Sequence, residues 1–105
     1  MDEHKDLVEI LTNNFSLEVN SHEMKDGSDY LEHIQRVLAT KIEFMINTDL
    51  ERLLQILYRV DVDQRLTDQA FDLGEIKKVS FKLAELIIRR QLKKIEYSRK
   101  FYGNS

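Results

Sequence analysis

The stretch that decides the fold covers residues 75–100 and reads EIKKVSFKLAELIIRRQLKKIEYSRK. Its apolar residues recur every three or four positions, which is the period of an amphipathic α-helix. At about 1.5 Å per residue a helix of this length reaches about 39 Å, whereas a compact chain of this size is only about 33 Å across. We therefore predict a long C-terminal helix whose basic end overhangs a helical bundle. Its predicted apolar face comprises Ile76, Val79, Leu83, Ala84, Ile87, Ile88, Leu92 and Ile95.

The same spacing upstream predicts three more helices, near residues 30–47, 49–60 and 62–73. Capping boxes beginning at Thr48 and Asp61 mark the start of the second and third of these helices. Gly74 is a residue that can end a helix. The predicted buried faces are formed by Leu31, Ile34, Leu38, Ile42 and Met45 in the first helix, Leu50, Leu53, Leu54 and Leu57 in the second, and Leu66, Ala70 and Leu73 in the third.

The N-terminal part of the chain is acidic and less regular. Residues 3–15 fit a short amphipathic helix, and residues 16–28 are mostly polar and predict a connection. We predict an acidic leader, residues 1–29, packed outside or loosely attached to a helical bundle domain, residues 30–105. The predicted fold class is all-α, with a compact bundle of four main helices plus a short N-terminal helix.

Composition supports this fold class and excludes several others. The 105 residues are 42% hydrophobic and 33% charged, and they include three glycines, no proline and no cysteine. Few backbone breakers favour long helices over a β-sandwich, which needs frequent turns. The absence of cysteine excludes disulfides and cysteine-ligated metal sites. No apolar run approaches the roughly 18 residues of a membrane span, and no secretory signal is visible, so we predict a cytoplasmic protein without a membrane span.

The charge of the chain is strongly asymmetric. Residues 1–74 carry 16 acidic and 7 basic side chains, a formal net charge of −9, whereas residues 75–105 carry a net charge of +6. Opposite charges of this size attract over about 10 Å at moderate salt. They could meet within one chain, between two chains, or on an anionic partner, and the sequence leaves these three alternatives open.

Motifs for catalysis and metal binding are missing from the sequence. No HExxH or equivalent metal-binding motif occurs around the three histidines, and the glycines are isolated rather than clustered as in a phosphate-binding loop. No serine lies in a glycine elbow. We therefore predict no enzyme activity, no metal, no cofactor and no small-molecule substrate.

The most distinctive short string is Tyr58–Asp63. It could bind a ligand, and a small enzyme would need a pocket with perturbed carboxylates such as Asp61, Asp63 or Asp68. The favoured interpretation is structural, with Arg59 in the last turn of one helix, Asp61 capping the next and Asp63 in the first turn of that helix.

The leading functional hypothesis is a non-enzymatic protein–protein interaction module. The overhanging C-terminal helix would bury apolar surface against a second subunit or another protein partner, with a homodimer as the expected assembly. The predicted partner-binding residues are Ile88, Leu92, Ile95, Tyr97 and Phe101.

The alternative hypothesis is nucleic-acid binding without sequence preference. Five cations recur on the side of the last helix opposite its apolar face and could contact phosphates, although the acidic remainder of the chain opposes this. A pair such as Glu85 and Arg89 is equally typical of a solvated helix. The predicted nucleic-acid-binding residues are Lys78, Lys82, Arg89, Lys93 and Lys100.

Two strings, LLQILYRVDV at residues 53–62 and LAELIIRRQLKK at residues 83–94, resemble a group of small uncharacterised bacterial helical proteins. The resemblance covers about residues 30–100 and leaves the acidic leader outside. It implies a soluble, cytoplasmic, all-helical bacterial protein, and it brings no known activity, cofactor or catalytic residue.

Overall fold

The computed structural model of the protein describes residues 3–17 and 27–102. These two ranges contain no strand, and the predicted all-α bundle is confirmed. The predicted boundaries agree with the observed ones to within two residues, except that the second helix begins three residues earlier than expected. The helices are α1 (Glu3–Phe15), α2 (Gly27–Thr48), α3 (Leu50–Arg59), α4 (Gln64–Phe71) and α5 (Ile76–Tyr102).

Helix α5 organises the bundle. It packs against α2 along its most extensive contact, and also against α1 and α4, whereas α3 packs on α2. With 27 residues, it reaches about 40 Å at 1.5 Å per residue, and the molecule measures 44 × 30 × 20 Å. The long axis of the protein is therefore close to the length of α5.

Helix α1 belongs to the same core as the other helices. Leu7, Leu11 and Phe15 are buried in it, and the Arg99 guanidinium near the end of α5 bonds the Asp6 carboxylate at 2.6 Å. The expectation of a loosely attached leader is therefore wrong for residues 3–15. The expectation that the basic end of α5 overhangs the bundle is also wrong, because α1 packs beside that end of α5.

Helix α3 buries a different face from the predicted one. Leu53, Ile56 and Leu57 are buried, whereas Leu50 and Leu54 are largely exposed. Both faces satisfy helical spacing, so periodicity alone cannot choose between them. The observed face continues into buried Val60, where the chain turns toward α5.

Two of the helix caps lie one or two residues later in the chain than predicted. Asp49, rather than Thr48, caps α3 by accepting a hydrogen bond from the Arg52 amide. The Thr48 hydroxyl instead donates to the Phe44 carbonyl at the end of α2. Asp63, rather than Asp61, caps α4.

Gly74 follows the end of α4 in a left-handed conformation, with φ of +84°. Its amide donates to the Phe71 carbonyl at 3.2 Å, so the predicted stop after α4 is confirmed.

Candidate functional site

A groove of about 930 Å³ lies between α5 and the segment that joins α3 to α4. We call it the α5 groove. Residues of both predicted binding sets line it, namely Leu92 of the partner-binding set and Arg89 and Lys93 of the nucleic-acid-binding set. Its lining comprises Asp61, Val62, Asp63 and Leu66 on one side, and Leu86, Arg89, Arg90, Leu92, Lys93 and Glu96 on α5.

The chain turns sharply beside the groove because Asp61 adopts a left-handed backbone, with φ of +65°. Aspartate and asparagine visit this region more readily than other non-glycine residues. The Val62 amide then donates back to the Leu57 carbonyl at 3.3 Å. This turn directs Asp63 to the start of α4 and leaves Val62 over the groove.

Two side chains of α5 hold the turn in place. Arg90 donates through Nη2 to the Asp61 carboxylate at 2.8 Å and through Nε to the Asp61 carbonyl at 3.2 Å. Buried Gln91 donates to the Val60 carbonyl at 2.7 Å. The hydrogen bond from Arg90, then its positive charge, lower the pKa of Asp61 below its ordinary value, with a smaller contribution from Lys94. The wall of the groove that contains Asp61 is therefore held at one position along the α5 axis, beside Arg90.

The apolar lining is only partly covered. Leu86 belongs to the core and Val62 and Leu92 pack against it, but Leu66 on α4 is 42% exposed. Helix α4 is eight residues long and buries the small side chains Thr67 and Ala70, so Leu66 faces the groove instead of the interior. The spacing of Leu66 predicts a core position. Nothing in the sequence indicates that α4 buries its smaller side chains, Thr67 and Ala70, in place of Leu66.

The two walls of the groove carry opposite charges. The acidic wall consists of Asp61 and Asp63, and the basic wall consists of Arg89, Arg90 and Lys93 on α5. Glu96 also lines the α5 side, which leaves that wall with a net positive charge.

Some of these charges already have partners. Beyond the Arg90–Asp61 pair, Arg89 lies 3.5 Å from Glu85, and Asp63 lies 3.6 Å from exposed Arg65. Lys93 has no ion pair among the described residues. The groove is therefore an apolar channel between charged walls. Lys93 has no ion-pair partner among the described residues, and the ion pairs of Arg89 and Asp63 are 3.5 Å long or longer.

The predicted partner-binding residues divide into three groups. Ile88 and Ile95 are buried within the core, so they are not available to a partner in this fold. Leu92 is partly buried and lines the α5 groove, and Tyr97 is 63% exposed. Phe101 lies in α5, but its side chain is outside the described residues.

The predicted nucleic-acid-binding residues share one side of α5, as their spacing requires. Carboxylates on α5 and just before it reduce the charge of this side. Lys82 and Arg89 both pair with Glu85, at 3.2 and 3.5 Å, and Lys78 pairs with Glu75 at 3.5 Å. Lys93 and Lys100 have no ion pair among the described residues.

The opposite charges of the two halves of the chain meet inside the molecule. Among the described residues, three ion pairs join α5 to carboxylates earlier in the chain, so attraction within one chain, one of the three alternatives that the sequence leaves open, is present. The pairs are Arg99–Asp6 at 2.6 Å, Arg90–Asp61 at 2.8 Å and Lys77–Glu43 at 3.7 Å.

A second cavity, of about 520 Å³, lies between α1 and the C-terminal half of α5. Arg59, Lys94 and Arg99 line it together with Asp6 and Glu9. Because acidic and basic groups line it in nearly equal number, its charge does not select one class of ligand.

Neither a metal site nor a membrane span emerges from the described ranges. No three histidine, aspartate or glutamate side chains within residues 3–17 and 27–102 converge so that they could hold a metal ion. None of the helices in these ranges combines the length and the apolar character that crossing a membrane requires.

Comparison with known proteins adds no assignment. No protein-family model, curated protein or solved structure matches the chain. The resemblance to small bacterial helical proteins therefore stays a prediction, and functional inference depends on the geometry of the α5 groove.

Proposed function

We propose that the protein is a non-enzymatic protein–protein interaction module that self-associates through its C-terminal helix. The α5 groove is the proposed contact surface. One observation carries the proposal: partly covered Val62, Leu66 and Leu92 meet in one open groove beside the helix that the sequence singled out. Covering apolar area of this kind is favourable by about 25 cal/mol per Å².

The expected association is weak. Stable interfaces take about 20–30 residues from each partner, whereas ten residues line the groove. A contact of this size is typical of transient complexes, so we expect a dissociation constant of roughly 10–100 μM.

The role of Asp61 supports a structural rather than a catalytic interpretation of the carboxylates. A general acid at neutral pH needs a raised pKa, whereas Arg90 lowers the pKa of Asp61. Asp63 caps α4, and Asp68 accepts a hydrogen bond from Gln64 at 3.0 Å. All three candidate carboxylates thus have roles in the fold.

Sedimentation equilibrium over about 5–500 μM tests the proposal, because this range brackets the expected constant. The wild type should shift from monomer toward dimer as its concentration rises. Leu66→Lys should weaken the dimer at least about tenfold, since it places a charge in the apolar centre of the contact. The matched control is Leu54→Lys on α3, where the leucine is 45% exposed and outside the groove. A wild type that stays monomeric, or two variants with equal effects, would contradict the proposal.

Nucleic-acid binding through α5 is the second candidate. Exposed Lys93 and Lys100 support it, because they have no carboxylate partner among the described residues. Fluorescence anisotropy of labelled single-stranded and duplex oligonucleotides, from about 20 to 200 mM salt, tests it. Binding that falls steeply with salt and is lost in Lys93→Gln and Lys100→Gln variants would favour this candidate. A cytoplasmic location and a bacterial source stay predictions.

A further inference from the structure

We propose that a second copy of the chain covers the α5 groove with its own α5 groove in a parallel arrangement, so that the acidic wall of each copy faces the basic wall of the other. This inference rests on the proposed self-association. Beyond self-association, this inference names the surface of the second copy that makes the contact and the relative direction of the two α5 helices. It also names the charged residues that determine this surface and this direction.

The charges and the apolar lining of the groove are complementary to those of a second copy of the same groove. Its apolar lining suits another apolar surface, and its walls offer one negative and one positive side. A protein partner that fits it needs the same combination with the signs exchanged. A second copy of this groove, turned to face the first, supplies that combination.

The symmetry of the dimer decides whether the two α5 helices run parallel or antiparallel. In a two-fold dimer the same patch contacts itself. If the two-fold axis runs along α5, the rotation exchanges left and right, and the acidic wall lies over the basic wall. If the axis runs across α5, the helices become antiparallel and each wall meets its own kind, so like charges are brought together. The charges of the walls therefore favour the parallel dimer.

The acidic and basic walls lie at the same position along the α5 axis. Arg90 bonds both the carboxylate and the carbonyl of Asp61, which places the acidic wall level with the middle of the basic wall. An axis along α5 leaves this height unchanged. Asp63 of one copy then lies opposite Arg89 and Lys93 of the other.

The residues that would pair across the contact are available for it. Lys93 has no ion pair among the described residues, and the pairs of Arg89 and Asp63 are long and exposed. Exposed pairs of this kind contribute little, so exchanging them for pairs across the dimer is inexpensive. Leu66 of each copy would close the apolar centre of the interface.

Charge exchange tests which walls meet. Lys93→Glu should weaken the dimer about threefold to thirtyfold, because it places a negative charge opposite Asp63. Adding Asp63→Lys to this variant should restore the affinity to within about threefold of the wild type. Helix content and urea unfolding of each variant report separately on the loss of the Asp63 cap. A double variant that folds and associates no better than Lys93→Glu alone would overturn the pairing.

A distance measurement tests the direction of the helices. Because the chain has no cysteine, Lys78→Cys gives a single attachment point for a nitroxide spin label. Lys78 is exposed and pairs only with nearby Glu75 at 3.5 Å, so its replacement leaves the groove intact. The α5 residues that line the groove run from Leu86 to Glu96, so Lys78 lies thirteen residues from their midpoint, which is about 20 Å along the helix.

The two arrangements give different distances between the labels of a dimer. Parallel helices bring both labels to the same end, about 15–30 Å apart, whereas antiparallel helices place them at opposite ends, about 40 Å apart or more. The short distance is expected. The long distance would overturn the parallel arrangement while self-association stands, and absence of any dimer at high concentration would overturn the proposed function itself.

Discussion

The Arg90 guanidinium bonds Asp61 twice, from Nη2 to the carboxylate at 2.8 Å and from Nε to the backbone carbonyl at 3.2 Å. The two residues are 29 positions apart in the chain, and the contact fixes a left-handed turn against the middle of α5. It joins the acidic wall of the α5 groove to the basic wall and, among the described residues, is one of three ion pairs between α5 and earlier parts of the chain. The position of the acidic wall of the α5 groove beside the basic wall therefore depends on this pair.

This pair predicts a pH dependence of stability. Arg90 lowers the pKa of Asp61 in the folded protein below its ordinary value of 3.8, so the folded state binds this proton less readily than the unfolded state. The stabilisation is therefore fully present above the ordinary value and is lost as the pH falls through it toward the lowered value. Asp61→Asn, which tolerates the same left-handed backbone, should lower the free energy of unfolding at pH 7. Urea unfolding at pH 7, about 5 and about 3 should show this difference shrinking at the lowest pH.

The partner variant checks the cause of this effect. Arg90→Gln should reproduce the loss at pH 7, and the double variant should lose less than the sum of the two single changes, since both remove one interaction. A difference between Asp61→Asn and the wild type that stays constant down to pH 3 would contradict the ion-pair explanation.

The integration of α1 predicts a large effect of one leucine in the acidic leader. Leu7 is buried against the other helices, so Leu7→Ala should lower the free energy of unfolding by about 2–5 kcal/mol through lost burial and the cavity left behind. Leu54→Ala is the matched control, because exposed Leu54 buries little area and should cost less than about 1 kcal/mol. Chemical denaturation of the two variants measures both values. Equal and small losses would mean that α1 contributes little to the core in solution.

The left-handed Gly74 predicts a cost that comes from the backbone alone. A Cβ at this position would meet nothing within 4 Å, so Gly74→Ala creates no clash, and its cost is the strain of φ at +84° for a residue with a side chain. We expect a loss of about 1–2 kcal/mol, and a smaller loss for Gly74→Asn. Thermal unfolding compares the two variants. An alanine variant as stable as the wild type would show that the turn relaxes to a negative φ.

The length of each apolar pattern in the sequence determines how well the sequence predicts the corresponding helix. Long apolar periods define α2 and α5 well, because a helix of five or more turns repeats the same face many times. Helix α3 is ten residues long, and its leucines satisfy two overlapping faces, so the sequence could not determine which of Leu54 and Ile56 is buried. The choice is made by tertiary packing on α2, which local spacing does not encode.

The groove was only partly predictable for a related reason. The sequence directed attention to α5 and to Arg89, Leu92 and Lys93, which do line the groove. It could not supply the opposite wall, because that wall depends on the left-handed Asp61 and on a hydrogen bond to Arg90 far along the chain. The sequence predicts Ile88 and Ile95 as partner-binding residues because it places them on an overhanging end of α5. In the structure α1 packs beside this half of α5, and both side chains are buried in the core.

The Arg99–Asp6 pair predicts a local effect rather than a global one. Arg99 lies near the end of α5 and Asp6 in the first half of α1, and their side chains meet at 2.6 Å. The Nε of Arg99 is buried without a hydrogen-bond partner among the described residues, so the guanidinium incurs a desolvation penalty that this one bond partly offsets. Arg99→Gln should therefore loosen α1 more than it destabilises the whole protein.

Hydrogen exchange measures this loosening residue by residue. In Arg99→Gln, amide exchange should speed up about threefold to tenfold across residues 7–15, which corresponds to roughly 1 kcal/mol of local stability. Exchange in α3 and α4 should change by less, because the ion pair joins α1 to α5. Arg89→Gln is the matched control on the same helix, since Arg89 bonds only Glu85 among the described residues, and it should leave α1 unchanged. If Arg99→Gln speeds exchange equally in every helix, the pair acts on global unfolding, and α1 opens only together with the rest of the bundle.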